Sequence, residues 1–147
     1  MTAAKIGILL VEDNPDDLEL ALRALRKANL ANSIHVARDG AEALECLFAT
    51  GRFAGRPVAN DPKVILLDLN LPKVDGIEVL RLIKEDPRTK TIPVVVLTSS
   101  KEQPDVSECH RLGVTHYIVK PVNFENFAGV IAELGLYWLL LNQSLRH

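Results

Sequence analysis

Four consecutive apolar residues, Val64 to Leu67, run directly into Asp68, and Asn70, Pro72 and Gly76 break the chain behind them. A run with no polar alternation has to be buried on both faces. That is the situation of a strand inside a parallel sheet covered by helices on both sides. The rest of the chain repeats the theme. "KIGILLV" (5–11), "SIHVA" (33–37), residues 63–67, "TIPVVVLT" (91–98) and "HYIVK" (116–120) read as five strands, with 33–37 short, alternating and suited to an edge.

Amphipathic stretches separate them. Asn14 is placed as an N-cap, Pro15 at the first helical position and Asp16 and Asp17 in the first turn, where acids favour the helix dipole. Leu18, Leu22 and Leu25 recur at helical spacing and supply the buried stripe. Further helices are expected over "DGAEALECLFATG" (39–51), from about Asp75 to Asp86 where Pro87 stops it, over "KEQPDVSECHRLG" (101–113), and over about 123–142. Residues 51–62 form a loop longer than a usual βα connection. Five βα units without an internal linker predict one domain over 1–147, an α/β doubly wound parallel sheet with five helices.

Several function classes drop out on composition. A net charge of −2 with intermixed signs gives no basic stripe for nucleic acid. Cys46 and Cys109 form no CxxC pair, and two reduced thiols fit a cytosolic protein. No apolar run approaches the ~20 residues that span a bilayer, and the N-terminal run is too short for a signal-peptide core. No membrane association and a cytoplasmic location are the expectations. His35, His110, His116 and His147 show no metal-ligand spacing and read as structural or surface groups.

In an open α/β sheet, ligands bind beyond the carboxyl ends of the strands. Glu12 and Asp13 end the first strand, Asp68 the third, Thr98 and Ser99 the fourth, and Lys120 with Pro121 the fifth. Three carboxylates about 5 Å apart repel by roughly 3 kcal/mol per pair at an effective dielectric near 20. Such a cluster calls for a cation, and an all-oxygen set points to a hard one such as Mg²⁺. Metal, Lys120 and the Thr98 hydroxyl together suit phosphoryl transfer, with Asp68 as the attacking carboxylate.

The motifs "VEDN", "LLDLNLPKVDG", "VVVLTSS" and "YIVKP", in this order and spacing, resemble the receiver domain of two-component response regulators over nearly the whole chain. The resemblance implies a flavodoxin-like fold with strand order 2-1-3-4-5. It implies a phosphoprotein that accepts a phosphoryl group on Asp68 from a sensor histidine kinase, catalysing only its own transfer and slow dephosphorylation. Glu12, Asp13, Asp68 and the Asn70 backbone carbonyl would hold Mg²⁺. Thr98 and Lys120 would bind phosphoryl oxygens, Ser99 would limit access, Tyr117 would follow Thr98 as the aromatic switch, and Lys120–Pro121 would be a cis peptide. More narrowly, the chain resembles single-domain regulators partnered with cyanobacterial-type phytochrome kinases.

The last helix carries a second apolar face. Phe124, Phe127, Ile131, Leu134, Trp138 and Leu141 share one side, which leaves Leu136, Leu139 and Leu140 opposite, with Tyr137 beside them. A homodimer through this helix and its neighbours is the expectation. Three other readings stay open from the residues: a metal-dependent phosphohydrolase with an aspartyl nucleophile, a receiver-like interaction module that is never phosphorylated, and a cofactor binder of the same fold. Asn70 stands where such hydrolases usually carry a general acid, and Asp68, Lys120 and the acid pair are all present.

Overall fold

The computed structural model describes residues 7–27, 34–48, 62, 64–71, 75–98, 103–120, 125 and 129–130. Five parallel strands alternate with helices: β1 (Ile8–Val11), α1 (Pro15–Lys27), β2 (Ile34–Ala37), α2 (Gly40–Phe48), β3 (Val64–Asp68), α3 (Gly76–Glu85), β4 (Val94–Thr98), α4 (Gln103–Arg111) and β5 (His116–Val119). The sheet runs β2-β1-β3-β4-β5. This is the doubly wound, flavodoxin-like architecture that the sequence predicts. Of the fifth expected helix, only Glu125, Gly129 and Val130 are described, all helical.

The uninterrupted apolar strands are explained by two cores, one on each face. Leu9, Val11, Ile65, Leu67, Val94 and Val96 pack against α2, α3 and Cys109 of α4. Ile8, Leu10, Val64, Leu66, Val95, Leu97 and Ile118 pack against Leu18, Ala21, Ala24 and Leu25 of α1. Strand side chains alternate with period two, so neighbours in sequence serve opposite cores. Each fully buried leucine or isoleucine stabilises by about 1.5–3 kcal/mol relative to exposure. Register is correspondingly firm, because a slip of one residue would exchange the two faces.

Helix starts follow the local sequence. The Asn14 side chain accepts from the N–H groups of Asp16 and Asp17 at 2.9 and 3.0 Å, which caps α1. Asp75 caps α3 by accepting from Ile77 N–H at 3.2 Å, and α3 ends before Pro87. Several boundaries differ from expectation, two of them at the strands β3 and β4. Asp68 lies within β3, opposite Leu97, instead of just after it. β4 begins at Val94 instead of Thr91, because Ile92 N–H turns back to Thr89 O at 3.0 Å and Pro93 has no N–H to offer. No helix among the described residues is long and apolar enough to cross a membrane.

The connection after Asp68 is closed by Gly76, whose N–H donates to Leu69 O at 3.2 Å. A Cβ built on Gly76 would lie 2.4 Å from Leu69 Cα and 2.6 Å from Leu69 O. Backbone cannot yield as a flexible side chain can. Gly76→Ala is therefore expected to lower stability by about 1–3 kcal/mol, read as a lower urea midpoint at unchanged slope. An unchanged midpoint would show that the Leu69–Gly76 approach does not constrain the loop.

Candidate functional site

The site is built from residues that continue the strand ladders. Glu12 N–H donates to Ala37 O at 2.9 Å, Leu69 N–H to Leu97 O at 3.2 Å, and Lys120 N–H to Thr98 O at 2.8 Å. The backbone is thus held at, or beside, each candidate side chain. Strand parity then selects the face. Ile8 and Leu10 belong to the α1-side core, as do Val64, Leu66 and Ile118. Continued by two residues, those series reach Glu12, Asp68 and Lys120. Val94 and Val96 face the other core, which Tyr117 also joins, and their series reaches Thr98.

The three residues on the α1 side meet. Lys120 Nζ lies 2.9 Å from Glu12 Oε1 and 2.9 Å from Asp68 Oδ2. It also lies 2.8 Å from Asp17 Oδ2, in the first turn of α1. Asp68 Oδ1 accepts from Asn70 N–H at 2.9 Å, and Glu12 Oε2 from Asn14 N–H at 3.2 Å. Carboxylate oxygens of Glu12, Asp13 and Asp68 lie within 4.8 Å of one another. Glu12 and Asp68 are each 1% exposed, whereas Asp13 is exposed. Thr98 is buried, and its hydroxyl accepts from Asn70 Nδ2 at 3.4 Å. Asn70 therefore touches both Asp68 and Thr98, linking the two faces across the rim.

Burial pushes the Glu12 carboxyl up to about 7, and the adjoining Asp68 pushes in the same direction, against the lowering effect of Lys120. Burial alone would lower the Lys120 ammonium. Hydrogen bonds to Asp17, Glu12 and Asp68 outweigh it and hold the group charged well above the ordinary lysine range. One ammonium thus faces a surplus of carboxylate. Two buried acids, one exposed acid and no sulfur or imidazole in the set fit a hard divalent cation that keeps part of its water shell.

Glu12, Asp13, Asp68, Asn70, Thr98 and Lys120 thus gather at one rim, and Tyr117 is half-buried on the Thr98 side of the sheet. Ser99, Pro121, Leu136, Tyr137, Leu139 and Leu140 lie outside the described residues. Asp17 is the residue whose second contact sequence reasoning missed. It reads as a helix-dipole partner, and it sits in the first turn accordingly, yet it also pairs with Lys120. The available signal was parity: Lys120 shares the face of Ile118, the face that α1 covers.

Glu12 gives a stability signature. Its folded value of about 7 lies above the ordinary 4.5, so the folded chain binds more protons between those values than the unfolded chain. The contribution is fully present below pH 4.5 and is lost as pH rises through about 7. Asp86, held at about 2 by hydrogen bonds from Arg88, titrates below that window. In chelator, the urea midpoint is expected to fall between pH 5 and 7.5, and Glu12→Gln is expected to flatten that fall. An equal fall in both proteins would contradict the assignment.

The sequence model of the response regulator receiver domain matches residues 8–132. Among curated proteins, the chain is 42% identical over 137 residues to the probable methanogenesis regulatory protein FilR2 of Methanothrix harundinacea, covering 93% of this chain and 86% of that one. It is 39% identical over 132 residues to the response regulator Rcp1 of Synechocystis, covering 90% and 88%. Among solved structures, the bacteriophytochrome response regulator RtBRR aligns with a TM-score of 0.81 at 50% identity, over 89% of this chain and 78% of that one. The Mn²⁺-bound form of Rcp1 gives 0.76 at 39%, over 91% and 94%. The phosphorylated cyanobacterial phytochrome response regulator RcpA gives 0.76 at 41%, over 92% and 95%. With the receiver model spanning most of its length and relatives of this similarity along nearly all of it, the chain belongs to the response regulator receiver domain family.

Proposed function

We propose that Asp68 accepts a phosphoryl group from the phosphohistidine of a sensor kinase, and that the chain signals by the change of shape that follows. The observation that carries this reading is the Lys120 ammonium, 2.9 Å from both Asp68 and Glu12, with Asp13 beside them. It puts a fixed cation next to the carboxylate that would react. Glu12, Asp13, Asp68 and the Asn70 carbonyl would hold Mg²⁺, which would supply positive charge for the phosphoryl oxygens. The Mn²⁺-bound Rcp1 and phosphorylated RcpA structures support both parts by similarity.

In the step itself, an Asp68 carboxylate oxygen attacks phosphorus. The P–O bond forms as the P–N bond to imidazole breaks, and the leaving imidazole nitrogen keeps the electron pair and takes up a proton. Asn70 N–H, already on Asp68 Oδ1 at 2.9 Å, orients the carboxylate. Lys120 pairs with a phosphoryl oxygen, and the Thr98 hydroxyl donates to another. Rotation of Thr98 would give up its contact with Asn70 Nδ2 and open space into which Tyr117 turns. A hydrolase reading fares worse, because Asn70, two residues after Asp68, cannot protonate a leaving group as an acid does.

The finer proposal is a phytochrome-type kinase as donor, supported by the likeness to RtBRR and RcpA. Two copies pairing through Leu136, Tyr137, Leu139 and Leu140 in a single-domain chain is a second proposal, resting on sequence pattern. Charged residues at the three leucines should then give a monomeric mass in light scattering.

The main reading is tested by intact mass after incubation with Mg²⁺ and acetyl phosphate. One labile phosphoryl adduct is expected, absent in Asp68→Asn. Lys120→Ala should still take up phosphoryl, though more slowly, and should fail to pass the signal to a partner. An equal adduct in Asp68→Asn, or turnover of many phosphate esters without any adduct, would sink the reading.

A further inference from the structure

The Lys120 ammonium has three N–H donors, and three carboxylates surround it: Asp17 at 2.8 Å, Glu12 at 2.9 Å and Asp68 at 2.9 Å. In this arrangement every donor faces a carboxylate. A phosphoryl group on Asp68 brings several anionic oxygens that compete for those donors, and the present partners differ in how readily they can yield. Glu12 is buried and further held by Asn14 N–H. Asp68 is buried and carries the new group. The Asp17 side chain is 31% exposed and lies in the first turn of α1. There, water and the helix dipole can stabilise its charge once it lets go.

We infer that Asp17 is a positioning residue that competes with the phosphoryl group for Lys120, acting as a brake on phosphorylation of Asp68. The inference rests on Asp68 being the phosphoacceptor. Two effects point the same way. Asp17 holds one of the three donors for which the phosphoryl oxygens compete. It also places a negative charge one lysine head group away from the point where an anionic phosphodonor arrives, which opposes the approach. Solvent exposure screens part of that repulsion. The release of Asp17 also carries news of phosphorylation to the N-terminal turn of α1, outside the Thr98–Tyr117 side of the sheet.

The test compares phosphorylation rates with Mg²⁺ and acetyl phosphate, followed by intact mass, for the unsubstituted chain, Asp17→Asn, Asp17→Ala, Asp17→Glu and Asp68→Asn. Asp17→Asn and Asp17→Ala are expected to be phosphorylated about three- to tenfold faster. Asp17→Glu, which keeps the charge, should return the rate to near that of the unsubstituted chain. A merely structural Asp17 would instead slow the reaction when removed, by loosening Lys120. Unchanged or slower phosphorylation of both neutral variants would overturn the brake. Failure of the unsubstituted chain to take up phosphoryl, or uptake by Asp68→Asn, would overturn the phosphoacceptor reading and the brake with it.

Discussion

One ammonium group carries the charge balance of this molecule's candidate functional rim. Lys120 sits among Glu12, Asp17 and Asp68 at 2.8–2.9 Å, two of them buried. Without it, Glu12 and Asp68 would face each other with no compensating charge, a situation that costs several kcal/mol in a low-dielectric site. Even with it, Glu12 is pushed up to about 7 by burial and by Asp68. The pocket is therefore built with a shortage of positive charge. A divalent cation and the proposed phosphoryl transfer would each change that balance, acting on the same few atoms.

The rest of the fold serves to bring these atoms together. The two cores bury alternate residues of the same strands, and this locks the parity that sends Glu12, Asp68 and Lys120 to the α1 side. The ladder bonds at Glu12, Leu69 and Lys120 hold the backbone at the rim. The Leu69–Gly76 approach then turns the chain sharply behind Asp68. Asn70 bridges Asp68 and Thr98, so chemistry on one face of the sheet has a short polar path to the other.

Much of this is legible in the sequence. Runs such as Val64–Leu67, short, β-branched in part and bounded by breakers, read as interior strands, and Asn14, Asp75 and Pro87 mark helix ends by local chemistry that tertiary packing does not override. Asp68, Glu12, Asp13, Thr98 and Lys120 are legible because a strand end in an open α/β sheet is a defined place. The start of β4 is not, since "TIPVVVLT" looks extended throughout while Ile92 is committed to a turn with Thr89. Asp17 is not either. An acid in a helix's first turn has a sufficient local explanation, and only the three-dimensional placement of α1 over Lys120 reveals a second one.

The account's central claim is that this cluster makes Asp68 a phosphoacceptor. Borohydride reduction of the phosphorylated protein, followed by peptide mapping, tests it most directly, because an acyl phosphate on an aspartate is reduced to homoserine. Homoserine at position 68, and only after treatment with Mg²⁺ and a phosphodonor, is the predicted result. Homoserine at Asp13 or Asp17, or none anywhere in a protein that carries the phosphoryl mass, would contradict it.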